Sequence, residues 1–144
     1  MKQYAIDNAE KSGLQSPSSS LRIVHGVAEA LPFADASVDA VVVTLTLCSV
    51  TNPERAVSEI KRVLKPGGIF VFWEHVLSEK DGGLALQQQI LSPIQTFVAD
   101  GCHLNRRTGS IIANAGFRGG VDLRYTTMTS VDIIGPTVYG VAIA

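Results

Sequence analysis

Cys48, His75, Cys102 and His103 are the side chains of this sequence best suited to bind a soft metal, attack an electrophile or move a proton. Neither cysteine belongs to a CxxC pair, and the spacings of the four residues match no common zinc pattern, so no metal is expected. Cys48 stands inside the apolar string Leu47-Cys48-Ser49-Val50. A cysteine in such a string behaves as a small hydrophobe, so it is expected to line a pocket rather than act as a nucleophile. His75 follows Glu74 directly, and imidazole is the group suited to take a proton near neutral pH. His75 is therefore the candidate catalytic residue, against the simpler alternative of a histidine at a strand end. Asp100, Cys102 and His103 form a polar cluster that reads either as a cover over a bound molecule or as a capped turn. Arg106 and Arg107 read as a solvated surface pair.

The elements that must position these residues lie between Val38 and Val76. Asp39 to Leu45 is an almost unbroken β-branched run, the pattern of a strand covered on both faces. Asn52-Pro53-Glu54 opens a helix, with Thr51 or Asn52 as N-cap and Pro53 in the first turn, where its missing N–H has no partner to lose. Ala56, Val57, Ile60, Val63 and Leu64 follow at helical spacing. Lys65-Pro66-Gly67-Gly68 ends the helix and reverses the chain, and Ile69 to Trp73 is the next strand. A link of about 25 residues with a helix in it fits a right-handed parallel crossover and is too long for a hairpin. Ligands of open α/β sheets bind outside the carboxyl ends of the strands. Thr44 and Leu45 sit at one such end. Glu74 and His75 sit at the other and should point to the same mouth, so Cys48, Ser49 and Glu74 are the candidate pocket residues.

Around this unit, Lys2 to Gly13 reads as a helix, Gln15 to Ser20 as a polar loop and Leu21 to Val24 as a short strand. Gly82 to Val98 reads as a helix that Pro93 should kink or split. Thr108 to Ala115 reads as a short helix ending at Gly116. Val121 to Thr126 and Thr137 to Ile143 read as a C-terminal antiparallel strand pair.

At 46% hydrophobic residues, 144 residues are enough for one domain with a real core. A net charge of −1 argues against nucleic acid as a partner. No apolar run reaches the roughly 18 residues of a membrane span, so no membrane segment is expected. The N-terminus lacks the apolar core of a signal peptide, which makes an intracellular, by default cytoplasmic, protein the expectation. No G-x-G-x-x-G follows a strand, so a Rossmann dehydrogenase is disfavoured. The composition does not set an oligomeric state.

Several strings in order carry a resemblance: Gly26-Val27-Ala28-Glu29-Ala30-Leu31-Pro32-Phe33, Asp35-Ala36-Ser37-Val38-Asp39, Leu47-Cys48-Ser49-Val50, Arg62-Val63-Leu64-Lys65-Pro66-Gly67-Gly68 and Glu74-His75-Val76. Together the sequence resembles the class I S-adenosylmethionine-dependent methyltransferases of the small-molecule type, a group that includes the quinone-biosynthesis methyltransferases. Within them it is most similar to the methyltransferase-like thiol methyltransferases, which also share strings like Asp100-Gly101-Cys102 and Tyr139-Gly140. The superfamily's Glu/Asp-x-Gly-x-Gly loop and the acidic residue that holds the ribose are absent.

The resemblance implies an α/β fold, a Rossmann-like methyltransferase sheet that lacks its first two strands. It implies one N-terminally truncated methyltransferase domain over residues 1–144. Leu21 to Val24 would then lose its ladder partner. The implied function is S-adenosylmethionine-dependent methyl transfer to a small-molecule acceptor such as a thiol. The competing expectation is a truncated, non-catalytic product or binding module. Gly26, Val27, Ala28 and Glu29 resemble the adenine-binding turn, although Val27 stands where an Asp usually accepts from the adenine amine. Thr44 and Leu45 would lie near the methionine part of the cofactor. A thiol acceptor would need little help from His75, because thiols ionise near pH 8.5 and the thiolate is the nucleophile.

Overall fold

The computed structural model describes residues 2–13, 21–128 and 132–144. Helix α1 (Lys2–Lys11) leads, and Gly13 follows it with φ +68°, a left-handed conformation suited to glycine. The polar segment Gln15 to Ser20 lies outside the described residues. Leu21 to Val24 is not a strand. Among the described residues no strand lies alongside it, and a lone segment cannot pair its backbone groups in a ladder.

The expected crossover is present. Strand β1 (Val38–Thr44) leads into helix α2 (Pro53–Val63), then strand β2 (Leu64–His75), and β1 and β2 are parallel. Asn52 is the N-cap: its Oδ1 accepts the Arg55 N–H at 2.8 Å. The Lys-Pro-Gly-Gly turn is absorbed into the start of β2. Val38 pairs with Leu64 but Ala40 pairs with Ile69, so the turn bulges out between the two registers.

Helix α3 (Gly82–Val98) follows, then α4 (Thr108–Ala113), β3 (Val121–Thr127) and β4 (Pro136–Ile143). The sheet order is β1-β2-β4-β3, with β4 antiparallel to both neighbours. Pro93 does not split α3. It lies on the exposed side, where water can take the carbonyl that its missing N–H leaves free. None of the described helices is long and apolar enough to cross a membrane.

One face of the sheet carries the core. Phe70, Phe72, Val138 and Ala142 pack against Ala56, Val57 and Ile60 of α2 and Ile112 of α4. Lys61 ties α2 to the turn after α4 by donating from Nζ to the carbonyls of Ala115 and Gly116, at 2.6 and 3.0 Å. The other face is apolar and open, with Val42 of the edge strand 69% exposed and Ile69, Val71, Trp73, Val141 and Ile143 beside it.

Helix α3 shows an unexpected orientation. Its buried residues are the polar Gln88 and Ser92, while Leu86, Ile90, Ile94 and Phe97 are exposed. Gln88 accounts for this, because its amide accepts the Ser78 N–H and donates to the carbonyls of Val76 and Ile133. Those bonds satisfy buried backbone groups that no apolar side chain could.

Candidate functional site

The carboxyl end of β1 is shaped by a strained turn. Leu45 has φ +50°, a left-handed conformation that costs a branched side chain about 1–2 kcal/mol. The turn is held by the Leu45 N–H donating to the Trp73 carbonyl at 2.8 Å. It is held further by Glu74, whose carboxylate accepts the N–H of Thr46 at 2.9 Å and of Cys48 at 3.1 Å. Glu74 is fully buried at the end of β2. Burial pushes its carboxyl above the usual range, and the backbone N–H bonds pull in the opposite direction. Glu74 therefore fixes the β1–α2 loop and does not face an open pocket.

A cavity of about 480 Å³ opens beside this turn, lined by Gly26, Val27, Ala28 and Thr44 together with Leu31 and Phe33. Four of the six expected cofactor residues thus surround one space. The other two do not. Leu45 is exposed on the turn, and the Glu29 carboxylate accepts the Asn52 N–H at 2.9 Å, the bond that holds its pKa low. Helix α2 clamps the whole segment. Arg62 donates to the carbonyls of Leu31 and Phe33 and to Asp35, and it pairs with Glu59 at 2.7 Å. Glu59 accepts the Leu31 N–H at 2.9 Å. The cavity's size and apolar lining suit an adenine-sized group. Its lining holds no carboxylate for ribose hydroxyls.

Past the turn, the sequence-distant Cys48, His75 and Cys102 come together. Cys102 Sγ lies 3.5 Å from Cys48 Sγ and 3.9 Å from His75 Nδ1. Both thiols are buried, His75 is half-buried, and the Ser49 hydroxyl lies 3.6 Å from Cys48 Sγ. The hydrogen bond between the thiols pulls Cys102 down to about 7, and the same contact together with burial pushes Cys48 far up. The turn at Asp100 and Gly101, both at positive φ, brings Cys102 back toward Cys48.

His103 stays apart. Its Nδ1 is 2.6 Å from the Gly101 carbonyl, and its N–H donates to the Cys48 carbonyl at 2.9 Å. Arg106 is not a solvated residue. It is half-buried and donates from Nη1 to the Leu47 carbonyl at 2.6 Å, whereas Arg107 is exposed as expected. The role of Arg106 could not be read from the sequence, because the carbonyl it reaches is 59 residues away.

A second cavity of about 640 Å³ begins one residue beyond His75, between Val76, Leu77, Leu84, Tyr125 and Thr137. The expected pocket residues Cys48, Ser49 and Glu74 do not line it.

A family model described as "Methyltransferase domain" matches residues 1–72. The chain is 48% identical to rat thiol S-methyltransferase TMT1B over 58% of its own length and 34% of the relative's. It is 41% identical to human thiol S-methyltransferase TMT1A over 76% of its length and 45% of the relative's. It thus spans between about a third and just under half of the curated relatives it matches. A SAM-dependent methyltransferase from Methanosarcina mazei superposes with a TM-score of 0.63 at 20% identity, covering 97% of this chain and 77% of that one. At that identity the likeness speaks to the fold alone.

Proposed function

The chain belongs to the methyltransferase domain family, and from that premise we propose that it serves S-adenosylmethionine-dependent methyl transfer to a small thiol. The observation that carries this reading is the cavity at the carboxyl end of β1, where Gly26, Val27, Ala28 and Thr44 converge. The similarity to curated thiol S-methyltransferases supports the choice of acceptor.

On this reading Gly26 to Ala28 lie along the adenine, and Thr44 lies toward the methionine end. S-adenosylmethionine would supply a methyl group already activated on a sulfonium, so the residues have chiefly to align the acceptor and exclude water. Arg62 and Glu59 position the adenine turn through Leu31 and Phe33. Glu74 positions the Thr46–Cys48 loop, which separates the cofactor cavity from the Cys48–His75–Cys102 cluster. On this reading the acceptor lies on the side of that cluster, where His75 and the neighbouring Ser49 are half-buried.

Calorimetric titration of the protein with S-adenosylhomocysteine tests the cofactor half. A single site is expected, and Val27→Trp, which fills the cavity, should weaken it by about tenfold or more with an unchanged circular dichroism spectrum. Mass spectrometry of a reaction with S-adenosylmethionine and thiophenol tests the acceptor half. The absence of both binding heat and methyl thioether overturns the reading.

A further inference from the structure

We propose that Cys48, His75 and Cys102 form a binding site for one thiophilic divalent cation, zinc, with a fourth coordination position left open. Their ligand atoms all lie within 4.8 Å of one another, and no ion is present among them. Zinc bonds of about 2.3 Å to sulfur and 2.0–2.1 Å to nitrogen require tetrahedral edges of roughly 3.8 Å between sulfurs and 3.6 Å between sulfur and nitrogen. Two of the three edges, the 3.5 and 3.9 Å that meet at Cys102, lie within a few tenths of an ångström of these values, and the third, from Cys48 to His75, is within 4.8 Å.

Three further features favour a cation. The three residues arrive from separate elements: Cys48 from the β1–α2 loop, His75 from the end of β2 and Cys102 from the loop after α3. Each is held by its backbone. Cys48 N–H is bound to Glu74, Cys102 N–H donates to the Ala99 carbonyl at 2.9 Å, and His75 is paired with Thr137 across the β2–β4 ladder. A dication with two thiolates and a neutral imidazole carries no net charge, which suits a buried location.

A disulfide is the competing use of the two thiols. It would draw the sulfurs to about 2.05 Å and leave His75 without a part. Metal ligation through Nδ1 replaces the proton-accepting role expected of His75.

The site matters to the reaction because two cysteines and one histidine with an open position form a catalytic rather than a purely structural set. A thiol taken up at the open position is held as the thiolate. This second step rests on the thiol acceptor proposed above. Ser49 and His75 are half-buried, whereas both thiols are buried.

Cobalt titration of the reduced, folded protein is the test, since it reads the site without any activity. One Co²⁺ per chain is expected, with a thiolate-to-cobalt charge-transfer band and intense tetrahedral d–d bands. Cys102→Ser and His75→Ala should each weaken binding by about tenfold or more, and His103→Ala should leave it unchanged. Should the variants fail to fold, zinc X-ray absorption of the wild type replaces them, with two sulfurs near 2.3 Å and one nitrogen expected. No charge-transfer band in folded, reduced protein overturns the proposal, as does a band that survives both substitutions. Adding thiophenol to the cobalt protein should shift the band; an unshifted band overturns the thiolate step alone. Failure of S-adenosylhomocysteine to bind bears on the methyltransferase reading and leaves the metal result standing.

Discussion

Replacing Glu74 by glutamine tests whether the β1–α2 loop is held by the buried carboxylate. In the wild type Oε1 accepts from Thr46 and Oε2 from Cys48. A glutamine amide has one oxygen, so in either orientation its NH₂ faces one of the two N–H groups. The variant loses one bond to a charged acceptor, worth about 1.5–3 kcal/mol, and leaves a donor unmatched at a cost of about 1–3 kcal/mol. Relief of the buried charge returns part of this, since burial already disfavours the ionised form. A net loss of about 2–3 kcal/mol follows. For a chain of this size that lowers Tm by roughly 6–12 °C. Urea unfolding followed by circular dichroism gives the number, and an unchanged m-value shows that the two states compared are the same. In the orientation that sets the amide NH₂ against Cys48, Glu74→Gln also releases the Cys48 N–H and should weaken cobalt binding. A stability change under about 0.5 kcal/mol would refute the argument, since the N–H groups would then have other acceptors.

Gly140 sits in β4 between two strands, and a Cβ there would meet the Asp122 carbonyl oxygen and lie 2.8 Å from Leu123 Cα. Gly140→Ala should therefore cost about 3 kcal/mol or more and speed hydrogen exchange along β3; normal exchange there would contradict it. The Arg62 guanidinium holds Glu59 at about 2, below its ordinary carboxyl value of 4.5. Its folded pKa is depressed, so its contribution is present above about 4.5 and is lost as pH falls toward 2. Urea midpoints of wild type and Glu59→Gln should differ most above pH 4.5 and converge in acid; a gap that stays constant with pH would show the pair to be irrelevant.

The parts legible in the sequence were those set by local rules. Asn52-Pro53 marked the start of α2, the β-branched run marked β1, and the runs from Val121 and Thr137 marked the antiparallel β3–β4 pair. Gly26, Val27, Ala28 and Thr44, which the resemblance grouped by role, line one cavity. What escaped was non-local. In α3 Gln88 faces inward because its amide satisfies three backbone groups, and nothing local in the sequence shows them. The meeting of Cys48 and Cys102 spans 54 residues, and zinc spacing rules assume neighbouring ligands. Arg106 looked like half of a surface pair because nothing local reveals its reach to Leu47.

The open face of the sheet carries its own reporter. Trp73 is the single tryptophan of the chain, 40% exposed and stacked on Tyr139 at 5.3 Å between ring centroids. Its indole sits amid the apolar side chains that no described helix covers, so its emission wavelength follows how wet that face is. Any polypeptide or ligand that settles there will shift the emission to the blue without a label. His75 follows two residues along the same side of β2, so a cobalt ion entering the cysteine cluster is read by the same indole as a loss of intensity.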